Sequence, residues 1–286
     1  MNLWILGQIL LNGITIGSIY ILVSLGFTLI FGVLRVVNFA HGELYMMGAF
    51  LTLLLYGSLK VNYILTLVIS AVAVGLFGIL LERVLFKRLK YQELNCMILG
   101  LGISIVLQNI GSLIFGPQDL SIPTAYSGAV NFGVVSYPAE RFIMSLFSFA
   151  ILLVTYLFIK VTRYGNAIRA VVQDVEAAAI QGININRVYP LTFFIGCSLA
   201  AIAGSLLGPI FSISAFMGGF ALIKAFVVVI LGGLGSFGGA VLGGLLLGFS
   251  DSIVSTFVGG AANDMVGFFI IILILLLKPT GLLGRK

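Results

Sequence analysis

Long stretches without a charged residue dominate this chain and limit what it can fold into. The uncharged runs of spanning size cover residues 1–34, 61–81, 96–116, 142–159 and 190–223. A helix needs about 20 mostly apolar residues to cross the hydrocarbon core of a bilayer. Only 8% of the residues are charged, whereas 60% are hydrophobic. The chain is therefore predicted to be a membrane protein that crosses the bilayer several times.

The expected form of these runs is helical, because in hydrocarbon every backbone amide and carbonyl must be paired within the protein. The region 225–277 adds further apolar segments, interrupted only by Asp251 and Asp264. We predict an all-α helical bundle with about eight or nine membrane segments, forming one transmembrane domain over residues 1–286. The first run lacks the basic region of a secretory signal peptide, so it is expected to be retained.

Basic residues predict the orientation of the bundle. They occur in three groups: Arg83, Lys87, Arg88 and Lys90; Lys160, Arg163, Arg169 and Arg187; Lys278, Arg285 and Lys286. Short loops rich in Lys and Arg face the cytoplasm, so all three groups, including the C-terminus, are predicted to be cytoplasmic. The loop 116–139 contains no Lys or Arg and is expected on the opposite side.

The side of the N-terminus is left open by this rule. A single crossing by the first run, followed by strict alternation, would place it outside. A broken or re-entrant segment within residues 35–60 would place it inside. Polar residues support such a break, because Arg35, Asn38, His41 and Glu43 interrupt an otherwise lipid-like sequence.

Asn38, His41 and Glu43 are the first candidates for the lining or the gate of a translocation pathway. A carboxylate at the centre of a membrane helix costs about 3 kcal/mol, so it should face a cavity or a partner. Arg35 is a candidate partner for Glu43. The alternative is that these residues only mark a membrane boundary.

The longest water-facing internal segment covers residues 163–190 and is predicted to form a cytoplasmic loop. Asn166 is a suitable residue to begin a helix and Gly182 to end it. Between them, an apolar stripe recurs at steps of three and four: Ile168, Val171, Val172, Val175 and Ala179. This helix either packs on the membrane domain or the lipid interface, or docks a soluble protein.

Lys224 and Asp251 are isolated charges within apolar surroundings. The simpler interpretation is a buried ion pair between two packed helices, and the alternative is a relay for protons or ions. Glycines at spacings of four, including Gly235, Gly239 and Gly243, predict close packing of helix backbones.

The sequence offers little for catalysis or for binding nucleotides, metals or nucleic acid. The segment Gly233 to Gly238 fits a dinucleotide-binding fingerprint only literally, without the strand, helix and acidic residue that should accompany it. No Walker A motif is present. His41 is the single histidine, and the two cysteines have no metal-binding spacing. The net charge of +6 is spread over loops, so no catalytic residue, cofactor or nucleic acid is predicted.

Three stretches together carry a resemblance to a known family. They are GVLRVVNFAHGELYMMG at 32–48, GNAIRAVVQDVEAAAIQGIN at 165–184 and VVILGGLGSFGGAVLGG at 228–244. The chain resembles, over essentially its whole length, the LivH-type permease subunits of bacterial ABC importers for branched-chain amino acids.

The resemblance implies a subunit of the bacterial inner membrane, accompanied by a second homologous permease, two ATPase subunits that bind ATP and Mg²⁺, and a periplasmic or lipid-anchored binding protein. Glu176, Ala177, Ala178 and Gly182 are similar to the coupling loop that contacts the ATPases. Arg169 and Asp174, on other faces of the same predicted helix, are included among these contacts. The residues after Gly182 depart from the fullest form of that loop.

Two other functions compete with an amino acid permease. Permeases for urea and short amides look very similar, since a separate binding protein largely selects the cargo. A stand-alone secondary transporter driven by an ion gradient would need no ATPases, but buried acids are scarce in this sequence. A membrane scaffold without transport activity is a further alternative.

Overall fold

The computed structural model describes residues 3–89, 92–133, 135–278 and 280–284. Lys90, Arg285 and Lys286, on which part of the predicted orientation rests, lie outside these residues. The first half contains α1 (Leu3–Leu34), α2 (His41–Thr52), α3 (Tyr63–Leu81), α4 (Lys87–Leu89) and α5 (Glu93–Phe115). A hairpin follows, formed by β1 (Ala129–Phe132) and β2 (Val135–Pro138).

The second half contains α6 (Ala139–Val161), α7 (Arg163–Gln173), α8 (Val175–Ile180), α9 (Ile185–Leu207), α10 (Met217–Gly232), α11 (Phe237–Phe257) and α12 (Asn263–Leu277). Single π-helical segments extend α2 through Leu53–Ser58 and join α3 to α4 through Glu82–Phe86, and a 3-10 turn at Gly260–Ala262 precedes α12.

Six helices in the described part of the chain are long and apolar enough to cross a membrane: Trp4–Leu34, Tyr63–Leu89, Glu93–Phe115, Ala139–Val161, Ile185–Leu207 and Phe237–Phe257. Two shorter apolar helices are Met217–Gly232 and Met265–Leu277. The predicted all-helical membrane bundle is confirmed, whereas the total of eight or nine segments stays a prediction.

The two ends of the bundle are defined by what α1 contacts. Near its start, Asn12 Oδ1 accepts hydrogen bonds from Tyr137 Oη at 3.1 Å and Arg141 at 3.0 Å, beside the β-hairpin. Just beyond its last residue, Arg35 donates to the carbonyl of Gln173 in α7 at 3.3 Å. We call these the loop end and the α7 end.

Small residues bring α1 and α11 into backbone contact. A Cβ on Gly248 would overlap the backbone of Gly17, so neither helix could hold a larger side chain there without separating from the other. Gly239 and Gly243 pack in the same way against α10. Gly235 does not, and its assignment to helix packing is wrong: it has φ +78° and open space around it, as a turn glycine has.

The chain is broken between α1 and α2. After α1 ends, residues 35–40 are not helical and return into the bundle, so that the ring of His41 lies 3.1 Å from the carbonyl of Val23 in the middle of α1. From there α2 runs to the loop end, where Tyr56 donates to the carbonyl of Thr124. A break within the predicted segment 35–60 is therefore present in the structure.

A second break precedes α10. Residues 208–216 leave the end of α9 at the loop end, where Ile213 pairs with Leu120, and α10 then begins inside the bundle. Its residue Gly218 touches Gly42 of α2 so closely that a Cβ on Gly42 would overlap the Gly218 carbonyl. The two helices therefore start side by side in the interior and run to opposite ends.

Candidate functional site

Glu43 lies where α2 and α10 meet. Its side chain is buried, and its Oε1 accepts hydrogen bonds from Ser104 at 3.0 Å and Gln108 at 2.7 Å, both on α5. Its Oε2 is buried and has no hydrogen-bond partner among the described residues. Gly218 leaves room for this carboxylate, because a Cβ there would lie 2.7 Å from the Glu43 carboxyl carbon.

The position of Glu43 relative to the helix ends supports a negative charge. Glu43 is in the first turn of α2, and Gly218 is in the first turn of α10. Both N-termini therefore direct their partial positive charge towards the same carboxylate. Arg35 is not its partner, because Arg35 is exposed and contacts α7, so the predicted pairing of Arg35 with Glu43 is wrong.

His41 and Asn38 are buried in the same region, and each has a polar atom without a hydrogen-bond partner in the part of the chain that the structure describes. His41 Nε2 lies 3.1 Å from the carbonyl of Val23; because a carbonyl only accepts, Nε2 carries the proton and the unpartnered Nδ1 is an acceptor. Asn38 Oδ1 accepts from the Ala40 amide at 3.1 Å, and its Nδ2 is unpartnered. No hydrogen bond among the described residues joins the side chains of Asn38, His41 and Glu43.

Ser104 and Gln108 are functional candidates that were not singled out from the sequence. They stand four residues apart in the helix, and α5 places both on the face towards Glu43. Two polar residues at this spacing lie on one side of a helix. This spacing is the sequence pattern from which the pair could have been identified.

A cavity of about 400 Å³ opens near the loop end between α1, α10 and α11. Its walls are mostly apolar, and the charged residues among its described lining are Lys224 and Asp251. Lys224 Nζ lies 3.0 Å from Asp251 Oδ2, and Tyr20 donates to the same oxygen at 2.8 Å. We call this the loop-end cavity.

Aromatic rings lie at the inner side of the loop-end cavity. Phe27 follows the lining residue Val23 by four positions, so it lies one turn further along the same face of α1. The Phe27 ring meets His41 at 5.7 Å and Phe226 at 6.3 Å between centroids, edge to face in both cases. These rings separate the cavity from the α7 end.

A second cavity, of about 540 Å³, lies at the α7 end. It is lined by Thr28 and neighbouring residues of α1, by Arg169 and Gln173 of α7, and by the turn that connects α10 to α11. The described part of the bundle therefore has a large recess at either end.

The predicted cytoplasmic segment forms two helices rather than one. Thr162, not Asn166, begins α7 by accepting from the Gly165 amide at 3.0 Å. Asp174 ends α7 and begins α8, since its Oδ1 accepts from the amides of Glu176 at 2.9 Å and Ala177 at 3.0 Å. A side-chain carboxylate that binds free amides favours a helix start over a helix interior.

The faces of α7 and α8 separate buried from exposed residues. Ile168 and Val171 are buried against the bundle. In α8 the buried residue is Ala178 rather than Ala179, because the break at Asp174 rotates the second helix. Ala178 therefore directs its side chain towards the bundle.

The surface of α8 that faces away from the bundle contains Glu176, Ala177 and Ile180, and the side chain of Ile180 is 84% exposed. Gly182 ends the helix at φ +82°, with the amide of Ile183 donating to Ala178 at 3.1 Å. This is the Schellman arrangement, which glycine adopts without strain. Arg169 donates to Asn166 at 2.6 Å and to the carbonyl of Lys160 at 3.3 Å, within the chain.

Comparison with known proteins covers nearly the whole chain. The chain is 37% identical to the "High-affinity branched-chain amino acid transport system permease protein LivH" of Escherichia coli K12, over 97% of this chain and 95% of that protein. It is 38% identical to BraD of Pseudomonas aeruginosa, a protein of the same description, with the same coverage. It is also 26% identical to LivM of E. coli, over 94% of this chain and 68% of LivM.

No solved structure matches this chain. The family described as "Branched-chain amino acid transport system / permease component" matches residues 9–277. That range includes both breaks, the loop-end cavity and the helices α7 and α8. This chain therefore belongs to the family of branched-chain amino acid transport system permease components.

Proposed function

We propose that this chain is the permease subunit of an ATP-driven importer for branched-chain amino acids in the inner membrane of a bacterium. The observation that carries the proposal is the match over 97% of the chain to a protein named as a permease of a branched-chain amino acid transport system. The chain itself has a transport role and no catalytic one, and ATP and Mg²⁺ are bound by its partners.

For the path of the chain we propose nine crossings within one domain. Besides the six long helices, the crossings are the broken segments 35–58 and 208–232 and the helix α12. This places the N-terminus outside and the C-terminus in the cytoplasm. The distribution of basic residues supports this orientation. Lys87, Arg88 and Lys160 belong to the α7 end, whereas the loop between α5 and β1 has no Lys or Arg, and loops rich in Lys and Arg face the cytoplasm.

Cysteine labelling from outside intact cells tests this path. The native Cys96 and Cys197 are buried and should stay unmodified. We expect a membrane-impermeant maleimide to label Trp4→Cys and Asp119→Cys in intact cells, and Gln181→Cys only after permeabilisation. If Trp4→Cys behaved like Gln181→Cys instead, the N-terminus would lie inside and the nine-crossing path would be wrong.

The translocation pathway, in this proposal, runs from the loop-end cavity past Asn38, His41 and Glu43. Helices that begin inside a membrane protein direct their N-termini at a transported or coupling group, and irregular backbone at that depth lines a cavity. The paired starts of α2 and α10 have this form. Unpartnered polar atoms on all three side chains leave hydrogen-bonding capacity for a passing polar solute.

The exposed surface of α8 and the similarity to LivM indicate the partners of this chain. We propose that α8, with Glu176, Ala177 and Ile180 facing outward, docks one ATPase subunit and transmits its movement through α7 and Arg169. The similarity to LivM supports a second, homologous permease beside this one. A substrate-binding protein would deliver the amino acid at the loop end.

Uptake by the reconstituted system tests the function. The chain is co-expressed with the second permease, two ATPases and binding protein of its own operon and placed in proteoliposomes. We expect accumulation of radiolabelled leucine only with ATP and binding protein, and no accumulation of urea. Leucine uptake driven by an ion gradient without ATPases would instead show a secondary transporter.

A further inference from the structure

We propose that the loop-end cavity is a binding site for the zwitterion of an aliphatic amino acid, with Lys224 binding its carboxylate and Asp251 its ammonium group. This inference rests on the proposed function and names a substrate site within the permease itself. It assigns to the buried ion pair a role beyond mutual neutralisation.

The charges of the site match those of the ligand. Lys224 and Asp251 are 11% and 1% exposed, and their charged atoms are 3.0 Å apart. An ion pair at this depth loses much of its hydration, so it stabilises the fold no better than two apolar residues of similar size would. Its presence therefore favours a role beyond packing. An amino acid brings one positive and one negative charge of its own. Its insertion replaces one ion pair by two and adds no net charge to the site.

The walls of the cavity select for an apolar side chain. They are formed by Ile16, Ile19, Val23, Leu207, Met217 and Phe220. A volume of about 400 Å³ is within the range of small-molecule sites. An amino acid with a charged side chain would bury a third charge without a partner, which is strongly unfavourable.

The cavity is accessible from the end at which the substrate would arrive. Ser212 and Ser255 are lining residues that are exposed at the loop end, whereas Lys224 and Asp251 are buried. On the inner side, Phe27 and its contacts with His41 and Phe226 block the way to the α7 end. The charged pair thus lies at the bottom of a recess that is open on one side.

Tyr20 is a positioning residue in this site. Its hydroxyl donates to Asp251 Oδ2 at 2.8 Å, and its ring centroid lies 5.9 Å from Lys224 Nζ. The hydroxyl holds the carboxylate in place when Lys224 turns to the ligand, and the ring stabilises the lysine charge.

The test uses the complete transporter in nanodiscs, with and without the binding protein, and measures binding of radiolabelled leucine to the permease complex. Lys224→Met and Asp251→Asn each leave one buried charge alone, so they risk misfolding. The decisive variant is therefore Lys224→Met with Asp251→Leu, which removes both charges and keeps the interior neutral. Lys60→Met, an exposed lysine outside the cavity, is the matched control.

We expect the double variant to assemble with the second permease and the ATPases, but to bind leucine at least about tenfold more weakly and to lose uptake. The control should bind leucine as the native complex does. Unchanged leucine binding in the double variant would show a purely structural ion pair and overturn this inference alone. If the native complex itself took up no leucine with ATP, the proposed function would fail instead.

Discussion

Replacing Ile180 by glutamate is expected to abolish ATP-driven uptake while leaving the permease folded in the membrane. The Ile180 side chain is 84% exposed at the tip of α8, so the change should alter the free energy of unfolding by less than about 0.5 kcal/mol. A hot-spot residue of a docking surface contributes about 2 kcal/mol or more to binding, and a buried glutamate in its place adds the cost of an unpaired charge. Its loss should weaken ATPase binding by about thirtyfold.

The measurement is the amount of ATPase that co-purifies with the tagged permease, together with leucine uptake. Glu176→Arg should behave in the same way, since Glu176 lies on the exposed surface of α8. Val258→Glu is the matched control: Val258 is an apolar residue, 73% exposed, just after α11 at the loop end, and its replacement should leave ATPase binding unchanged. Normal ATPase recovery with Ile180→Glu would show that α8 is not the docking surface.

Gly182 adds a test that depends on backbone geometry rather than on a side chain. Proline fixes φ near −65°, whereas Gly182 has φ +82° and its amide donates to Ala179 at 3.0 Å. The Schellman arrangement would therefore be lost in Gly182→Pro. We expect this variant to share the uptake defect of Ile180→Glu, because the exposed surface of α8 would no longer be held in place.

The membrane crossings could be predicted from the sequence because each depends on a local property. An uncharged run of about 20 residues has few alternatives to a spanning helix, and five such runs correspond to helices of the structure. The break before α2 was also visible, because polar residues at 35–43 cannot face lipid. Lys224 and Asp251 were recognisable as a pair since each is too costly to bury alone.

Features that depend on the position of one segment relative to another could not be predicted. The break before α10 has no charged residue to mark it. Gly208 and Pro209 are typical of a helix end, but the start of α10 inside the bundle depends on the contact between Gly42 and Gly218. Gly235 and Gly239 share a spacing pattern, yet one is in a turn and the other in a helix contact. The helix breaks at Asp174 because its carboxylate binds free backbone amides. The spacing of apolar residues does not show whether this carboxylate binds amides or points to solvent.

Replacing Glu43 by glutamine is expected to destabilise the permease and to abolish transport. Two helix N-termini direct partial positive charge at this carboxylate, and each such interaction contributes up to about 2 kcal/mol when partly buried. Glutamine keeps one oxygen for Ser104 and Gln108 but has no charge for the starts of α2 and α10. We therefore expect the free energy of unfolding to fall by about 2 to 4 kcal/mol, measured by reversible unfolding in mixed micelles.

Glu93→Gln is the matched control, because Glu93 is likewise in the first turn of a helix, α5, but is exposed; it should cost less than about 1 kcal/mol. The comparison also distinguishes a charged Glu43 carboxylate from a protonated, neutral one. Glutamine resembles a protonated glutamate, so a neutral Glu43 would make Glu43→Gln nearly silent in both stability and uptake. A silent variant would therefore contradict a charged Glu43 that joins the two helix starts. A large loss at Glu43 and a small one at Glu93 is the result expected for a charged Glu43.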